Sequence, residues 1–384
     1  MFAYGLLAVV IALRLKSAGF DDGTIGALFA FTLAGDTLVS LYLTTRADWY
    51  GRRLTLVVGS LLMILASVVF AVSNNFWVLV AAATIGVLSP SGNEIGPFLP
   101  VEQAALSDSL DKKQRVTILA AYNFAGYLAA AFGMFAGGKG AEYLQKSGWS
   151  AFQSYQAILI VHAAIGFGLI VLYLLLPKSV EIEKREAPRL DLLGLDKSRN
   201  IVLKLSALFA LDAFAGGFVM QSLIAYWFHL RWEVDLGQIG LVMMFGNIFA
   251  GISALLAGRL AEKFGLVNTM VWTHVPSNVL LILVPLMPNF PLAIACLLAR
   301  FCLSQMDVPT RQAYVLAVVD PHEKSAAGGV TNVARSVGVT LSPLLLGPMM
   351  ARPVLGLPLI IAGVLKIVYD LSLLVMCRRS NAIQ

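Results

Sequence analysis

The chain has 384 residues, of which 58% are hydrophobic and only 13% are charged, and its mean hydropathy is +0.80. Soluble domains contain about 45–50% apolar residues, so this composition excludes a water-soluble protein and indicates one that lies in lipid. The net charge of +6 comes from cations dispersed among short connections. Because no basic face interleaved with aromatic residues is present, we expect no nucleic-acid partner.

The three cysteines, Cys296, Cys302 and Cys377, lie in or beside apolar stretches. Neither a CxxC pair nor clustered histidines accompany them, so the sequence predicts neither a disulfide framework nor a metal site. A Walker-type GxxxxGK[ST] sequence is also missing, and no loop combines a nucleophile, a base and an orienting acid. We therefore expect no enzyme activity and no cofactor.

Apolar runs of about 20 residues between loops are typical of membrane-spanning helices. Their arrangement predicts an all-α membrane protein with two six-helix bundles, over residues 1–176 and 201–384, joined by a charged linker over residues 177–200. The first run is short, and we expect the natural first helix to be longer than this chain shows. The predicted helices cover residues 1–15, 24–45, 54–73, 77–107, 115–138, 154–176, 201–230, 237–260, 267–288, 290–318, 324–350 and 356–377.

The two halves of the chain repeat each other. Gly26, Asp48 and Gly51 recur 214 positions later, as Gly240, Glu262 and Gly265. At an offset of 209, the pairs are Pro100 with Pro309, Gln103 with Gln312, Ala104 with Ala313, Asp111 with Asp320, Asn123 with Asn332, and Gly138 with Gly347. Repeats this long do not form a stacked array; they indicate two homologous membrane bundles.

Lysine and arginine are concentrated in alternate connections. The loops after the second and fourth predicted helices, the linker and the tail carry most of them, whereas the opposite loops contain only Lys16, Lys139, Lys146, Arg231 and Arg352. Because positively charged loops remain cytoplasmic, we predict that both termini and the linker are cytoplasmic. The expected location is the plasma membrane, as a multi-pass protein of a bacterial inner membrane.

The turn after the second predicted helix has a distinctive sequence. Residues 45–53 read Thr-Arg-Ala-Asp-Trp-Tyr-Gly-Arg-Arg, with one acid, one glycine and three arginines. This turn resembles the signature loop of the major facilitator superfamily, GxxxDRxGRR, and residues 258–265 resemble its degenerate second copy. The chain departs from the family pattern at Thr44, where the family has glycine, and at Trp49, where it has arginine or lysine.

A carboxylate in such a turn can accept hydrogen bonds from the unpaired amides at the start of a neighbouring helix. We therefore expect a cytoplasmic latch in which Asp48 meets the helix that begins near Ser325. The family resemblance implies that Asp108 is the partner of Arg52. The alternative is that the arginines only fix the topology. The predicted gating residues of the two copies are Asp48, Gly51, Arg52, Arg53, Asp108 and Glu262.

Ionisable residues also occur inside the predicted spans, where a charge is costly unless it faces a cavity or a partner. At about 1.5 Å per residue, they fall about 16 to 21 Å from the cytoplasmic ends, near the middle of the bilayer. We interpret them as a substrate and proton site; the alternative is a static charge network around Arg335 that holds the helices together. The predicted site contains Asp36, Glu94, Asn123, Asp212, Asp307, Asn332 and Arg335.

Glu102 and Arg311 occupy equivalent positions in the two halves, so we expect them to form a gating salt bridge, or each to pair within its own bundle. Lys366 and Asp370 are four residues apart and are expected to neutralise each other. Prolines at Ser89–Gly92 and Asp307–Pro309 predict interruptions of the fourth and tenth helices.

These features predict a secondary transporter in which two bundles alternately open to each face. Resemblance to exporters of the superfamily implies proton-coupled efflux of a drug or metabolite. Proton-coupled uptake of a sugar or organic acid remains open, because the fifth helix has Gly137 and Gly138 but lacks the proline of the antiporter signature. A membrane sensor or assembly protein that transports nothing is the alternative of another class. The expected partners are a small molecule, protons and the lipid bilayer, with the chain as a monomer.

Overall fold

The computed structural model describes residues 1–92, 96–108, 112–177, 180–181, 197–320, 323–350 and 356–379. The regular secondary structure of these ranges is helical. In chain order the helices are α1 (Phe2–Ala8), α2 (Ile11–Ser17), α3 (Asp22–Tyr50), α4 (Arg52–Val72), α5 (Phe76–Ile85), α6 (Phe98–Asp108), α7 (Lys112–Lys146), α8 (Ala151–Leu174), α9 (Arg199–Gly217), α10 (Gln221–Trp232), α11 (Leu236–Phe264), α12 (Leu266–Leu283), α13 (Phe290–Phe301), α14 (Asp307–Val318), α15 (Lys324–Leu341), α16 (Leu346–Met350) and α17 (Leu357–Arg379).

In the described ranges, eight helical segments are long and apolar enough to cross a membrane, and α5 and α13 are shorter apolar helices. The chain is therefore a multi-pass, all-helical membrane protein. The predicted number of twelve spans is not confirmed, because several predicted single helices consist of two consecutive helices.

The interruptions lie close to the predicted ones. Helix α5 ends at Ile85 and α6 begins at Phe98; the described residues between them, 86–92 and 96–97, are not helical and include Pro90. In the tenth predicted helix the break separates Phe301 from Asp307, so Pro309 lies in the first turn of α14, where its missing N–H has no helical acceptor to lose. A third break, between α9 and α10, was not predicted; it follows Gly216 and Gly217 and contains no proline.

Contacts between Cα atoms divide the chain into two compact units. Unit 1 contains residues 1–189 and 220–244, and unit 2 contains residues 190–219 and 245–384. The repeat assigns residues 220–244 to the second bundle, yet α10 packs within unit 1, where the Tyr226 hydroxyl donates to Asp22 Oδ1 at 2.6 Å. The predicted boundaries at residues 176 and 201 therefore stay a prediction, and linker residues 178–179 and 182–196 lie outside the described residues.

The repeat is visible in the lengths of equivalent helices. Helices α3 and α11 both have 29 residues, and one glycine separates each of them from the next helix. Gly51 has a φ of +105° and Gly265 a φ of +82°. Residues with a side chain rarely adopt such φ values, so glycine at these equivalent turns lets two helices join without a loop.

Helix α1 packs against α7 through small residues. A Cβ atom added to Gly133 would overlap the carbonyl oxygen of Phe2, and one added to Gly5 would overlap the carbonyl oxygen of Ala130. The two backbones therefore approach more closely than alanine at positions 5 and 133 would permit. Such approach is typical of helix pairs in membranes, where packing replaces the hydrophobic effect as the driving force.

Candidate functional site

Unit 2 contains a buried cluster of charged side chains centred on Asp212 of α9. The carboxylate oxygen Oδ1 lies 2.6 Å from Lys366 Nζ of α17. The other oxygen, Oδ2, accepts from Arg335 Nη1 of α15 at 2.9 Å and from Arg311 Nη1 of α14 at 3.3 Å. One carboxylate thus holds three cations from three different helices, and its side chain is only 3% exposed.

Asp307 extends the cluster along α14. Its Oδ2 lies 2.8 Å from Arg311 Nη1, one helical turn later. The Arg311 guanidinium also stands over the ring of Phe209, 5.5 Å from its centroid, which is a cation–π geometry. We call Asp212, Asp307, Arg311, Arg335 and Lys366 the unit 2 charge cluster.

A second buried group borders this cluster. Asp370 Oδ1 lies 2.8 Å from His274 Nδ1, and Asn278 Nδ2 donates to Asp370 Oδ2 at 3.2 Å. The expectation that Lys366 and Asp370 neutralise each other is wrong, because Lys366 pairs with Asp212 and Asp370 with His274. His274 of α12 is thus the hydrogen-bond partner of Asp370.

The predicted site residues separate into two sets in this unit. Asp212, Asp307 and Arg335 come together as predicted from their depth, and they are joined by Arg311 and Lys366, which the predicted site did not include. Asn332, in contrast, has an exposed side chain on α15. The signal for Lys366 was present in the sequence as a cation in the last apolar helix, but spacing alone paired it with the wrong acid.

In unit 1 the buried acid is Asp36 of α3, which is 1% exposed. Neither of its carboxyl oxygens has a hydrogen-bond partner at standard geometry in the described part of the chain, although the Ser40 hydroxyl is close, one turn later. A Cβ atom on Gly96 would stand 3.5 Å from Asp36 Oδ1, so the acid lies against the interruption between α5 and α6. Glu94, predicted at the same site, lies outside the described residues.

Two other predicted residues of unit 1 have partners within that unit. Glu102 of α6 accepts from the hydroxyl groups of Tyr122 and, at 2.5 Å, Tyr173, beside a cavity of about 290 Å³. Asn123 has an exposed side chain and accepts from Gln103 at 2.9 Å. Arg311 contacts Asp212 and Asp307, so Glu102 and Arg311 each have partners in their own unit, and their gating role stays a prediction.

The turn with the family signature is held by an acid that sequence reasoning missed. Glu181 accepts from the backbone N–H groups of Arg52 at 2.8 Å and Arg53 at 3.1 Å, at the start of α4. The Arg53 guanidinium donates to the backbone carbonyls of Tyr173 and Leu174. An acid at a helix N-terminus satisfies orphan amides and complements the helix dipole.

The other predicted gating residues are described only in part. The side chains of Asp48 and Asp108 lie outside the described residues, so their predicted contacts stay predictions. Glu262, the equivalent of Asp48 in the second copy, has an exposed side chain near the end of α11.

Comparison with known proteins assigns the family. A family model described as Major Facilitator Superfamily matches residues 1–369. The chain belongs to this superfamily. The resemblance drawn from the signature turn is thereby confirmed, and the protein is a membrane transporter and not an enzyme.

Similar proteins and solved structures match almost the whole chain. The uncharacterized membrane protein YJR124C of Saccharomyces cerevisiae is 28% identical over 404 residues, which cover 97% of this chain and 90% of the relative. The quinolone resistance protein NorA of Staphylococcus aureus strain MRSA252 is 23% identical over 354 residues, with coverage of 90% and 85%. The inward-open structure of the xylose transporter XylE from E. coli superposes with a TM-score of 0.74 at 13% identity, covering 97% of this chain and 93% of that one.

Proposed function

We propose that the chain is a proton-coupled secondary transporter that exports a small molecule by alternating access. The observation that carries this proposal is Asp36, a fully buried acid without an ion-pair partner in the described residues. An ionised carboxylate in that position would cost several kcal/mol, so the neutral, protonated form is favoured while the site is closed to water. Opening to water would release the proton, which couples the carboxyl group to the conformational change.

Unit 2 supplies the complementary half of the proposal. In the unit 2 charge cluster, Asp212 forms ion pairs with Lys366 and the two arginines at 2.6 to 3.3 Å. Paired charges of this kind remain ionised, so they hold a fixed polar surface against which a substrate binds. The static-network alternative assigns the same contacts to stability alone, and transport assays of variants separate the two.

Export is inferred from NorA, whose name records quinolone resistance. Resistance mediated by a membrane transporter implies outward movement of the compound. The second candidate is proton-coupled uptake of an organic acid, which the surplus of cations in the unit 2 charge cluster favours. The direction of net flux under a defined pH gradient distinguishes the two candidates.

We also propose that both termini and the linker face the cytoplasm, on the basis of the arginine and lysine distribution. A bacterial inner membrane and a monomeric state belong to the same proposal. The relative in Saccharomyces cerevisiae shows that similar chains also occur outside bacteria.

The test uses purified protein in proteoliposomes with an acidic interior and a fluorescent quinolone outside. If the proton gradient drives exchange, the quinolone should accumulate inside, and dissipating the gradient should abolish accumulation. Asp36→Asn should lose gradient-driven accumulation and keep downhill efflux, because a permanently neutral side chain mimics the protonated state.

Asp235→Asn is the matched control, since it removes an exposed carboxylate near the start of α11. Wild-type liposomes that accumulate no quinolone would contradict export of this class. Accumulation that persists in Asp36→Asn would contradict the proton role of that residue.

A further inference from the structure

We infer that the unit 2 charge cluster binds an anionic group of the substrate, a carboxylate or a phosphate, at Arg335. This inference rests on the proposed transport function and specifies the class of molecule that the site takes. Three observations carry it: the charge balance of the cluster, the exposure of Arg335 and the number of donors that Arg335 has left.

The cluster contains more positive than negative charge. Arg311, Arg335 and Lys366 face two carboxylates, Asp212 and Asp307. Adding the bordering buried residues Arg300 and Asp370 adds one charge of each sign and leaves one cation in surplus. His274 does not reduce the surplus, since it is either neutral or cationic.

Within the unit 2 charge cluster, the surplus positive charge is accessible mainly at Arg335. Its side chain is 30% exposed, whereas the side chains of Lys366 and Arg311 are 10% and 7% exposed. A ligand that enters this region of unit 2 therefore reaches Arg335 before it reaches the other cations.

Arg335 also retains hydrogen-bonding capacity. In the described residues it donates only from Nη1, to Asp212, although a guanidinium group has five N–H donors. The remaining donors include a planar fork that matches a carboxylate or phosphate oxygen pair. Asp212 accepts only one of the five, since its two oxygens also accept from Lys366 and Arg311.

The sign of the charge decides between substrate classes. A buried surplus charge is unfavourable, and an anion removes the surplus whereas a cation increases it. A neutral molecule leaves it unchanged. The cluster of unit 2 therefore favours an anion over a cation or a neutral molecule of the same shape.

The test measures thermal unfolding of the purified full-length chain in detergent with four probes that share a phenyl ring: benzoate, phenylphosphonate, benzamide and benzylamine. At about ten times its dissociation constant, a binding anion should raise the unfolding midpoint by about 2 °C. We expect this shift from benzoate or phenylphosphonate and not from benzamide or benzylamine. Benzoate and phenylphosphonate distinguish a carboxylate from a phosphate group.

Arg335→Gln should abolish the anion shift, and Arg335→Lys should weaken it because the charge remains while the planar fork is lost. Arg259→Gln, which removes an exposed arginine of α11, should leave it unchanged. The inference is overturned if neither anion shifts the midpoint, if all four probes shift it equally, or if the anion shift survives in Arg335→Gln.

Binding in detergent needs no proton gradient and no closed membrane. An anion shift without quinolone accumulation in liposomes would contradict the proposed export and leave the anion site intact. Gradient-driven accumulation of the quinolone without an anion shift would support the proposed export and overturn the anion site.

Discussion

Removing the carboxylate of Asp212 should be the most damaging single change in unit 2. Asp212→Asn preserves the shape of the side chain, but Arg311, Arg335 and Lys366 would then face only Asp307. Breaking a buried ion pair by removing one partner costs about 3–5 kcal/mol, because the other charge is left buried and unpaired.

The exposures of the three cations refine this magnitude. Arg335 is 30% exposed, so water screens part of the charge that it would be left with. Lys366 and Arg311, at 10% and 7% exposure, have no such relief. The expected destabilisation of Asp212→Asn therefore comes mostly from Lys366 and Arg311, and we expect it within the range given above.

Lys366→Met in the same chain tests the reasoning. The double variant Asp212→Asn/Lys366→Met has the same net charge in the cluster as the wild type, so Lys366→Met should recover about 2 kcal/mol or more of the loss. Fluorescence-detected thermal unfolding of the four proteins in one detergent measures this coupling. Lys263→Met, an exposed cation at the end of α11, is the control and should recover nothing. Additive effects of Asp212→Asn and Lys366→Met would refute the charge-balance argument.

Three further changes have expected outcomes that one measurement each can check. Infrared spectra of the purified protein at neutral pH should contain a protonated-carboxyl band that disappears in Asp36→Asn; an unchanged band would mean that Asp36 is ionised. Gly51→Ala should destabilise the protein by about 1–3 kcal/mol, because a residue with a side chain is strained at the φ of +105°. Gly258→Ala, in a helix with open space around the glycine, should stabilise the protein by about 0.5–1 kcal/mol. Equal shifts of the unfolding midpoint in the two variants would contradict this expectation. Tyr226→Phe removes a 2.6 Å hydrogen bond to the carboxylate of Asp22 and should cost about 1.5–3 kcal/mol, and a midpoint equal to that of the wild type would show that the bond contributes nothing.

The sequence was sufficient to predict the family, the helical class and the proximity of Asp212, Asp307 and Arg335. Hydrophobic run length predicts where helices lie, and the rise per residue predicts how deep a side chain sits. These two quantities placed Asp212, Asp307 and Arg335 in one layer, and the structure brings them into one cluster. The interruption a few residues before Pro309 followed from the same kind of local chemistry.

Pairing between helices was not predictable in the same way. Lys366 and Asp370 are one turn apart, so local spacing favoured a pair, but packing of α17 places Lys366 at Asp212, 154 positions away in sequence. Helical periodicity gives the face that a residue occupies and leaves open which neighbouring helix covers that face. The capping of Arg52 and Arg53 by Glu181 was missed for the same reason, since it joins residues about 130 positions apart.

Comparing the two copies of the repeat separates scaffold from site. Where the copies agree, the shared feature is structural: Gly51 and Gly265 have positive φ values at equivalent turns, and α3 and α11 have equal lengths. At two positions of the candidate site, the copies differ by a charge. Asp36 corresponds to Ala250, and Arg335 corresponds to Gly126. Two bundles with identical interiors would have the same affinity for a proton and for a substrate. Because the buried lone acid occurs in one copy and the cation-rich cluster in the other, the duplicated chain can assign proton binding and substrate binding to different halves while both retain the same helical framework.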